Sequence, residues 1–204
     1  MHDSNPDTLD QARAWLQDAR HIAVLTGAGI SAESGVPTFR DAQTGLWARF
    51  SPEDLATEQA FRRDPQRVWD WYAERRERLR GVQPNAGHCD LQQAAPGRPP
   101  RCTGCGNLVR PAVVWFGEEL PQQALDAAQQ AAQACDLMLV VGTAGAVYPA
   151  AGLAHQARHA GARVVVINTA PSELDAVAHA VLRGPSAQLL PALLTDSDPA
   201  QRAQ

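Results

Sequence analysis

A group of glycines and small polar residues follows a short apolar run early in the chain. The stretch GAGISAESGVPTFRDAQTGLW, residues 27–47, begins directly after HIAVLT. Gly27 and Gly29 allow the backbone to approach a pyrophosphate, and a helix beginning just after them would offer free N–H groups and a positive dipole end. The pattern therefore predicts a site for a phosphate-bearing ligand, although a tight strand-to-helix turn would also explain two glycines on their own.

An aromatic and a cationic residue follow in the same stretch. Pro37 stiffens the loop that presents Phe39 and Arg40. The guanidinium of Arg40 can neutralise a phosphate or orient a leaving group, and Phe39 can cover an aromatic ring. A surface salt bridge is the alternative for Arg40.

Two later apolar runs also end in residues suited to binding a ligand. Gly142 and Thr143 lie in VVGTAGA, and Asn168 lies in VINTA. In an open parallel sheet, ligands bind beyond the carboxyl ends of the strands. We expect Asn168 to hydrogen-bond a ribose hydroxyl, and the alternative is a cap on a helix or turn.

The elements that must position these residues alternate between helices and apolar strands. Helices are predicted over residues 9–19 and 64–80, after Pro121, and up to Gly161. Strands are predicted at four places: His21–Thr26, the AVVWF run, Leu137–Thr143 and Arg163–Thr169. Such alternation indicates an α/β fold with a sheet covered on both faces. We predict a doubly wound, mostly parallel Rossmann-like sheet with a small irregular insert at residues 81–111.

Composition narrows the functional classes. The 204 residues are 45% hydrophobic and 20% charged, with a formal net charge of −4. This mild acidity argues against nucleic-acid binding, and no apolar run is long enough to span a membrane. Four cysteines, two of them in a C-x-x-C pair, indicate metal or redox chemistry in a reducing compartment, so we expect a cytoplasmic location.

Five motifs resemble those of the sirtuins in content and order. They are GAGISAESGVPTFRDAQTGLW, PNAGH, CTGCGNLVRPAVVWFGE, VVGTAGAVYPAAGL and RGPSAQLLPALL. Sirtuins are NAD-dependent protein-lysine deacylases, and the resemblance covers about residues 8–194. It implies a Rossmann-like NAD-binding domain at residues 8–80 and 112–194. It further implies a remnant of a small zinc-binding module at 81–111 and flexible termini at 1–7 and 195–204.

The resemblance also implies which residues contact each part of the ligands. The cofactor phosphates are lined by the first loop, residues Gly27, Ala28, Gly29 and Ile30. The nicotinamide end is bordered by Phe39 and Arg40, and Trp47 is also assigned to the cofactor. The adenosine half is matched by Gly142, Thr143, Asn168 and Ser186. Acylated-lysine proteins or peptides would bind along Val113, Phe116, Gly117 and Glu118.

A tyrosine and an arginine on the second long helix resemble an acyl-pocket motif. Tyr72 and Arg75 match the Tyr-x-x-Arg of sirtuins that prefer succinyl and malonyl groups, the bacterial desuccinylase and demalonylase type. The two side chains lie one turn apart on one helix face and can jointly donate to a carboxylate. In the alternative interpretation, Tyr72 is an interfacial helix residue and Arg75 is solvated.

The chain departs from the family pattern after PNAGH. Sirtuins carry a Q-N-x-D loop there and then a catalytic histidine, whereas only thirteen residues separate His88 from Cys102, and none is histidine or asparagine. His88 belongs to PNAGH and is expected to cap or pack locally. A strand, a loop and the catalytic base are therefore missing together, as in an internal deletion. Loss of a core strand would expose the edge of its neighbour.

The predicted zinc site is incomplete. Cys102 and Cys105 form one C-x-x-C pair, and Cys89 begins a second pair in which Gln92 replaces the other cysteine. Three thiolates could still hold zinc with water or a further side chain as the fourth ligand. Cys135 precedes an apolar strand and is expected to be a small core residue.

Two functions follow from the sequence. The first is NAD-dependent removal of acetyl, succinyl or malonyl groups from protein lysines, giving nicotinamide and O-acyl-ADP-ribose. The second is a sirtuin-like protein that binds NAD, ADP-ribose or a peptide without turnover. The family motifs favour the first function, and the missing histidine favours the second.

Overall fold

The computed structural model describes residues 6–36, 51–83 and 114–194. The described residues fall into two compact units. The first comprises residues 6–33 and 125–194, and the second comprises residues 34–36, 51–83 and 114–124.

The helices of the described part agree with the predicted ones and add several short ones. They are α1 (Pro6–Asp18), α2 (Pro52–Leu55), α3 (Glu58–Arg63), α4 (Pro65–Leu79), α5 (Gln122–Ala134), α6 (Gly152–His159) and α7 (Ser186–Leu194). Two 3-10 helices cover Ala28–Ser34 and Glu173–Val177. The predicted start of α4 is confirmed, because Pro65 follows Asp64, whose side chain accepts the N–H of Arg67.

A four-stranded parallel sheet forms the centre of the first unit. Its strands are β1 (Ile22–Thr26), β2 (Leu137–Val141), β3 (Arg163–Asn168) and β4 (Ala180–Arg183). They lie side by side in the order β1-β2-β3-β4, with Ile22 opposite Leu137 and Leu137 opposite Arg163. The predicted α/β fold with a parallel sheet is confirmed, whereas β4 was not predicted because its four residues are only partly apolar.

Two apolar clusters cover the two faces of this sheet. On one face, α1 and α7 pack against Leu139, Val165 and Ile167. On the other face, α6 and the end of α5 pack against Val140 and Val166. Every residue of β2 is buried, as its uninterrupted apolar sequence predicts.

Cys135, the residue after α5, is a core residue as predicted. Its thiol is buried in the second of these clusters and donates to the carbonyl of Ala132 at 3.3 Å. Burial raises the pKa of the Cys135 thiol from its ordinary value.

Strand β1 differs from its neighbours. Its side chains alternate between exposed and half-buried, and Ile22 and Val24 are 45% and 57% exposed. The prediction of a buried strand is wrong for this side of β1, because β1 lies at one edge of the four described strands.

The second unit has a small apolar core of its own. Trp115 is buried among Ala56, Ala60 and Val68, and Tyr72 packs against this cluster. Helix α3 is capped by Thr57, whose side chain accepts the N–H of Ala60 at 3.0 Å.

The predicted AVVWF strand does not form in the part that the structure describes, residues 114–116. The N–H of Phe116 donates to the carbonyl of Ala56 at 2.9 Å, and the N–H of Trp115 donates to the Glu118 carboxylate at 2.8 Å. These two N–H groups are therefore bonded to the end of α2 and within a turn, and among the described residues they form no hydrogen bonds to a neighbouring strand.

None of the helices among the described residues is long and apolar enough to cross a membrane. Beyond residue 83, the predicted insert lies outside the described residues, as do residues 1–5 and 195–204 of the predicted flexible termini.

Candidate functional site

The loops after β1 and β2 are joined by backbone hydrogen bonds. The N–H of Gly27 donates to the carbonyl of Val141 at 3.0 Å, and the N–H of Gly29 donates to the carbonyl of Gly142 at 2.7 Å. The N–H of Gly142 in turn reaches the carbonyl of Ile167 in β3 at 2.9 Å. The hydrogen bonding between neighbouring strands thus continues beyond their last residues, and it fixes both loops at the carboxyl edge of the sheet.

This contact explains why three of the predicted cofactor residues are glycines. A Cβ added at Gly27 would lie 2.6 Å from the Cβ of Thr143, and one at Gly29 would lie 2.6 Å from the carbonyl oxygen of Gly142. Gly142 has a φ of +62°, and its Cβ would lie 2.3 Å from the backbone nitrogen of Ile30. The space that the missing side chains leave is filled by the opposite loop, so these glycines allow the two loops to close on each other.

Asn168 connects the ends of β3 and β2. Its Nδ2 donates to the carbonyl of Thr143 at 3.1 Å, and its Oδ1 accepts the N–H of Thr169 at 3.1 Å. The Thr143 hydroxyl accepts the N–H of Gly145 at 3.2 Å. The side chain of Asn168 therefore joins the ends of two strands and orders the loop that carries Thr143.

Ser186 begins α7 and is only 5% exposed. Its hydroxyl lies 3.3 Å from a carboxylate oxygen of Glu33, and the same oxygen accepts the N–H of Ala187 at 2.6 Å. Glu33 thus caps α7 and ties it to the 3-10 helix that follows Gly27. Glu33 was not predicted from the sequence, because a carboxylate more than 150 residues from the helix that it caps leaves no local signal.

The other two residues of the first loop have different environments. The side chain of Ile30 is buried in the core beneath the sheet, whereas Ala28 is exposed. Only the backbone of Ile30 is therefore suited to a ligand contact.

Tyr72 and Arg75 lie in a group of aromatic residues in the second unit. The hydroxyl oxygen of Tyr72 accepts the Nε1–H of Trp115 at 3.1 Å, and its ring meets Trp71 edge-on. The Arg75 guanidinium carbon lies 4.9 Å from the centre of the Trp71 ring, within the range of a cation–π contact. Burial lowers the pKa of the half-buried Arg75 from its ordinary value.

Phe116, Gly117 and Glu118 form a tight turn. Gly117 has a φ of +85°, and the N–H of Glu118 donates to the carbonyl of Trp115 at 3.1 Å. The carboxylate of Glu118 closes the turn through the N–H of Trp115. Glu118 therefore holds the segment in shape.

The remaining predicted site residues lie outside the described ranges. They are Phe39, Arg40, Trp47 and Val113, together with the predicted zinc ligands Cys89, Cys102 and Cys105. Within residues 6–36, 51–83 and 114–194, no cluster of histidine, cysteine, aspartate or glutamate side chains is suited to a metal ion.

Comparison with known proteins gives one family. The Sir2 family model matches residues 27–96 and 90–149. An NAD-dependent protein deacylase of Ralstonia nicotianae is 49% identical, over 90% of this chain and 95% of that protein. An NAD-dependent protein deacylase of Thermus thermophilus is 37% identical, over 97% of this chain and 98% of that protein.

Solved structures agree. A Sir2 homologue in complex with NAD has a TM-score of 0.83 and 33% identity, and the match covers 95% of this chain and 94% of that one. Sir2Af2 bound to a myristoylated histone peptide has a TM-score of 0.67 and 27% identity, and the match covers 93% and 95% of the two chains.

The comparisons also bear on the apparent deletion. The alignment with the Ralstonia nicotianae protein spans 233 positions but takes in 90% of these 204 residues, so roughly 50 of its positions face no residue here. The family match comes in two parts that meet at residues 90–96. The interruption therefore coincides with the place where the sequence lacks the Q-N-x-D loop and the histidine.

Proposed function

This chain belongs to the Sir2 family, and from that premise we propose that it is an NAD-dependent protein deacylase that removes acyl groups from lysine side chains. The observation that carries the proposal is the closure of the loops after β1 and β2, through the hydrogen bond from Gly29 to Gly142. It places the glycine-rich segment at the carboxyl edge of a parallel sheet, where nucleotides bind in this class of fold.

The described residues fit the adenosine and pyrophosphate parts of NAD. Thr143 follows β2, Asn168 ends β3 and Ser186 begins the helix after β4, so all three polar residues belong to one edge of the sheet. In this proposal they hold the adenosine half, while the backbone of residues 27–30 lines the phosphates. When bound, NAD supplies an ADP-ribose group that accepts the acyl group, with nicotinamide as the leaving group.

Two side chains hold the loops of the proposed cofactor site in position without a bound ligand. Asn168 fixes the Thr143 loop, and Glu33 fixes the start of α7. A nucleotide would then meet groups already held in place, which lowers the ordering cost of binding.

We further propose a preference for acidic acyl groups. Tyr72 and Arg75 would donate to the carboxylate of a succinyl or malonyl group, since a planar guanidinium and a phenol together offer several donors. The partial burial of Arg75 supports this role, because a cation removed from water gains more from an anionic ligand.

The second candidate function is binding without turnover, and one specific observation favours it. The residues from Cys89 to Val113 contain no histidine, so the general base of the family has no counterpart at the matching place. Proton transfer by a positioned base typically contributes about 10²–10⁴-fold to a rate. An enzyme without that base would be slow, and the same cofactor loops would still hold NAD or ADP-ribose.

One experiment distinguishes the two functions. Purified protein is incubated with NAD and a succinyl-lysine peptide, and nicotinamide is quantified by chromatography. Release that depends on the peptide supports the deacylase. Saturable ADP-ribose binding by calorimetry, with no nicotinamide release, supports the binding protein instead.

We also propose that the protein binds zinc and that it is located in the cytoplasm. Zinc held by Cys89, Cys102 and Cys105 would be found as about one equivalent of metal in purified protein, and its absence would contradict the proposal. A cytoplasmic location is proposed because a C-x-x-C pair is better maintained in a reducing compartment.

A further inference from the structure

Strand β1 presents an apolar edge that none of the described residues covers. Ile22 and Val24 are the exposed apolar side chains on this strand, and they lie level with the buried Leu137 and Leu139 of β2. The apolar layer of the sheet therefore continues outward to the edge instead of ending beneath a helix.

The backbone of this edge is also open. Two backbone hydrogen bonds show which residues of β1 face β2. The carbonyl of His21 accepts the N–H of Asp136, and the N–H of Gly27 donates to the carbonyl of Val141, the last residue of β2. Successive residues of a strand direct their backbone groups to opposite sides. Ile22, Val24 and Thr26 therefore direct their N–H and C=O groups away from β2, and no partner for them lies among the described residues.

The edge lacks the features that normally prevent pairing. Natural edge strands carry lysine, proline, inward charges or bulges. The sequence of β1 is IAVLT, which contains no charge and no proline. A strand of this kind is suited to pairing with another strand.

We propose that the edge of β1 pairs with β1 of a second copy of this chain, antiparallel about a two-fold axis at Val24. In this register Val24 faces Val24 of the second copy, and Ile22 faces Thr26. The outward N–H and C=O groups of all three residues then find partners, which is the hydrogen-bonded arrangement of an antiparallel pair. The strand is therefore complementary to itself, as a two-fold interface requires.

The charges at the strand ends favour the same partner and direction. In the antiparallel register Arg20 lies at the level of Ala28 in the second copy, and His21 lies at the level of Gly27. No like charges oppose each other. A parallel pair would place the two Arg20 side chains together, and repulsion between like charges at neighbouring positions is destabilising.

The first test is the mass of the protein in solution. Light scattering after size exclusion is expected to give a dimer that dissociates on dilution. Val24→Lys is expected to give a monomer, because two lysines would then face each other at the centre of the interface. The matched control is Leu79→Lys, at a 47%-exposed apolar position of α4 in the second unit, which is expected to leave the dimer intact.

A cross-linking measurement tests the register and does not rely on a disruptive variant. In the Val24→Cys variant, a short bismaleimide is expected to join the two copies at position 24, identified by mass spectrometry of the linked peptides, whereas Leu79→Cys is expected to give no such product. A monomer at every concentration would overturn the proposal. A dimer unaffected by Val24→Lys, or open-ended oligomers in place of a dimer, would also overturn it.

Discussion

The indole Nε1–H of Trp115 donates to the hydroxyl oxygen of Tyr72 at 3.1 Å. In this bond the phenol oxygen is the acceptor, so the phenol proton is directed away from the indole of Trp115. Trp115 is itself fixed by burial and by the bond from its backbone N–H to Glu118. A residue of the proposed peptide-binding segment thus contacts a residue of the proposed acyl pocket.

Replacing this indole tests the relationship. We expect Trp115→Phe to weaken binding of a succinyl-lysine peptide by about fivefold, since a hydrogen bond of this kind contributes about 1 kcal/mol. Calorimetry with succinyl-lysine and acetyl-lysine peptides measures the effect, which should be larger for the succinyl peptide. In a Tyr72→Phe background the same change should have little further effect. Equal losses in both backgrounds would show that Trp115 acts independently of the tyrosine.

The close approach of the loops after β1 and β2 allows a test at Gly142. We expect Gly142→Ala to abolish measurable ADP-ribose binding, because the added Cβ would meet the nitrogen of Ile30 at 2.3 Å and the backbone has a positive φ. Gly161→Ala is the matched control, since its φ is +99° but nothing lies within 4 Å of the added Cβ. That control should lose about 1–2 kcal/mol of stability and still bind ADP-ribose. Unchanged binding by Gly142→Ala would separate the glycine loops from the cofactor site.

The contribution of the α7 cap to stability can be measured at Glu33. We expect Glu33→Ala to lower the free energy of unfolding by about 1 kcal/mol, because Ala187 N–H loses its acceptor at the helix N-terminus. Glu33→Gln should recover part of the loss through its remaining carbonyl oxygen. Urea unfolding measures both variants, with Glu74→Ala as the control, since that carboxylate lies within α4 and forms an exposed pair with Arg78. A loss no larger than that of the control would show that the cap contributes nothing.

Asp136, which accepts hydrogen bonds at the amino end of β1, is expected to make the stability of the fold depend on pH. Backbone hydrogen bonds from the N–H groups of Arg20 and His21 lower the pKa of the Asp136 carboxyl below its ordinary value. A carboxyl with a depressed pKa in the folded state stabilises the fold above its unfolded pKa, near 4, and this contribution is lost as the pH falls through the folded pKa. We therefore expect Asp136→Asn to be less stable than the parent at pH 7 and to lose less stability on acidification. Parallel pH profiles of the two proteins, from urea unfolding, would contradict this.

The sequence predicted β2 and β3 because each contains a run of at least four consecutive apolar residues, which is typical of strands covered on both faces. Loss of a strand was expected to expose the edge of its neighbour, but the sequence could not show that the exposed strand is β1, because this depends on the order of the strands in the sheet. Likewise, the sequence could not show that the missing side chains of Gly27 and Gly29 leave room for Gly142 and Thr143, because these residues lie more than 100 positions further along the chain. The approach of the Gly27 and Gly29 backbone to a pyrophosphate stays a prediction. Glu33 and the contact between Trp115 and Tyr72 join positions far apart in the chain, and no local pattern predicts such pairs.

The fate of the acyl group shows directly whether the protein is an NAD-dependent deacylase. Protein, NAD and a succinyl-lysine peptide are incubated together, and the peptide and nucleotide products are identified by mass spectrometry, with NAD omitted as the control. We expect a deacylated peptide together with O-succinyl-ADP-ribose, both formed only when NAD is present. An intact peptide after prolonged incubation, from protein that binds ADP-ribose saturably, would contradict it.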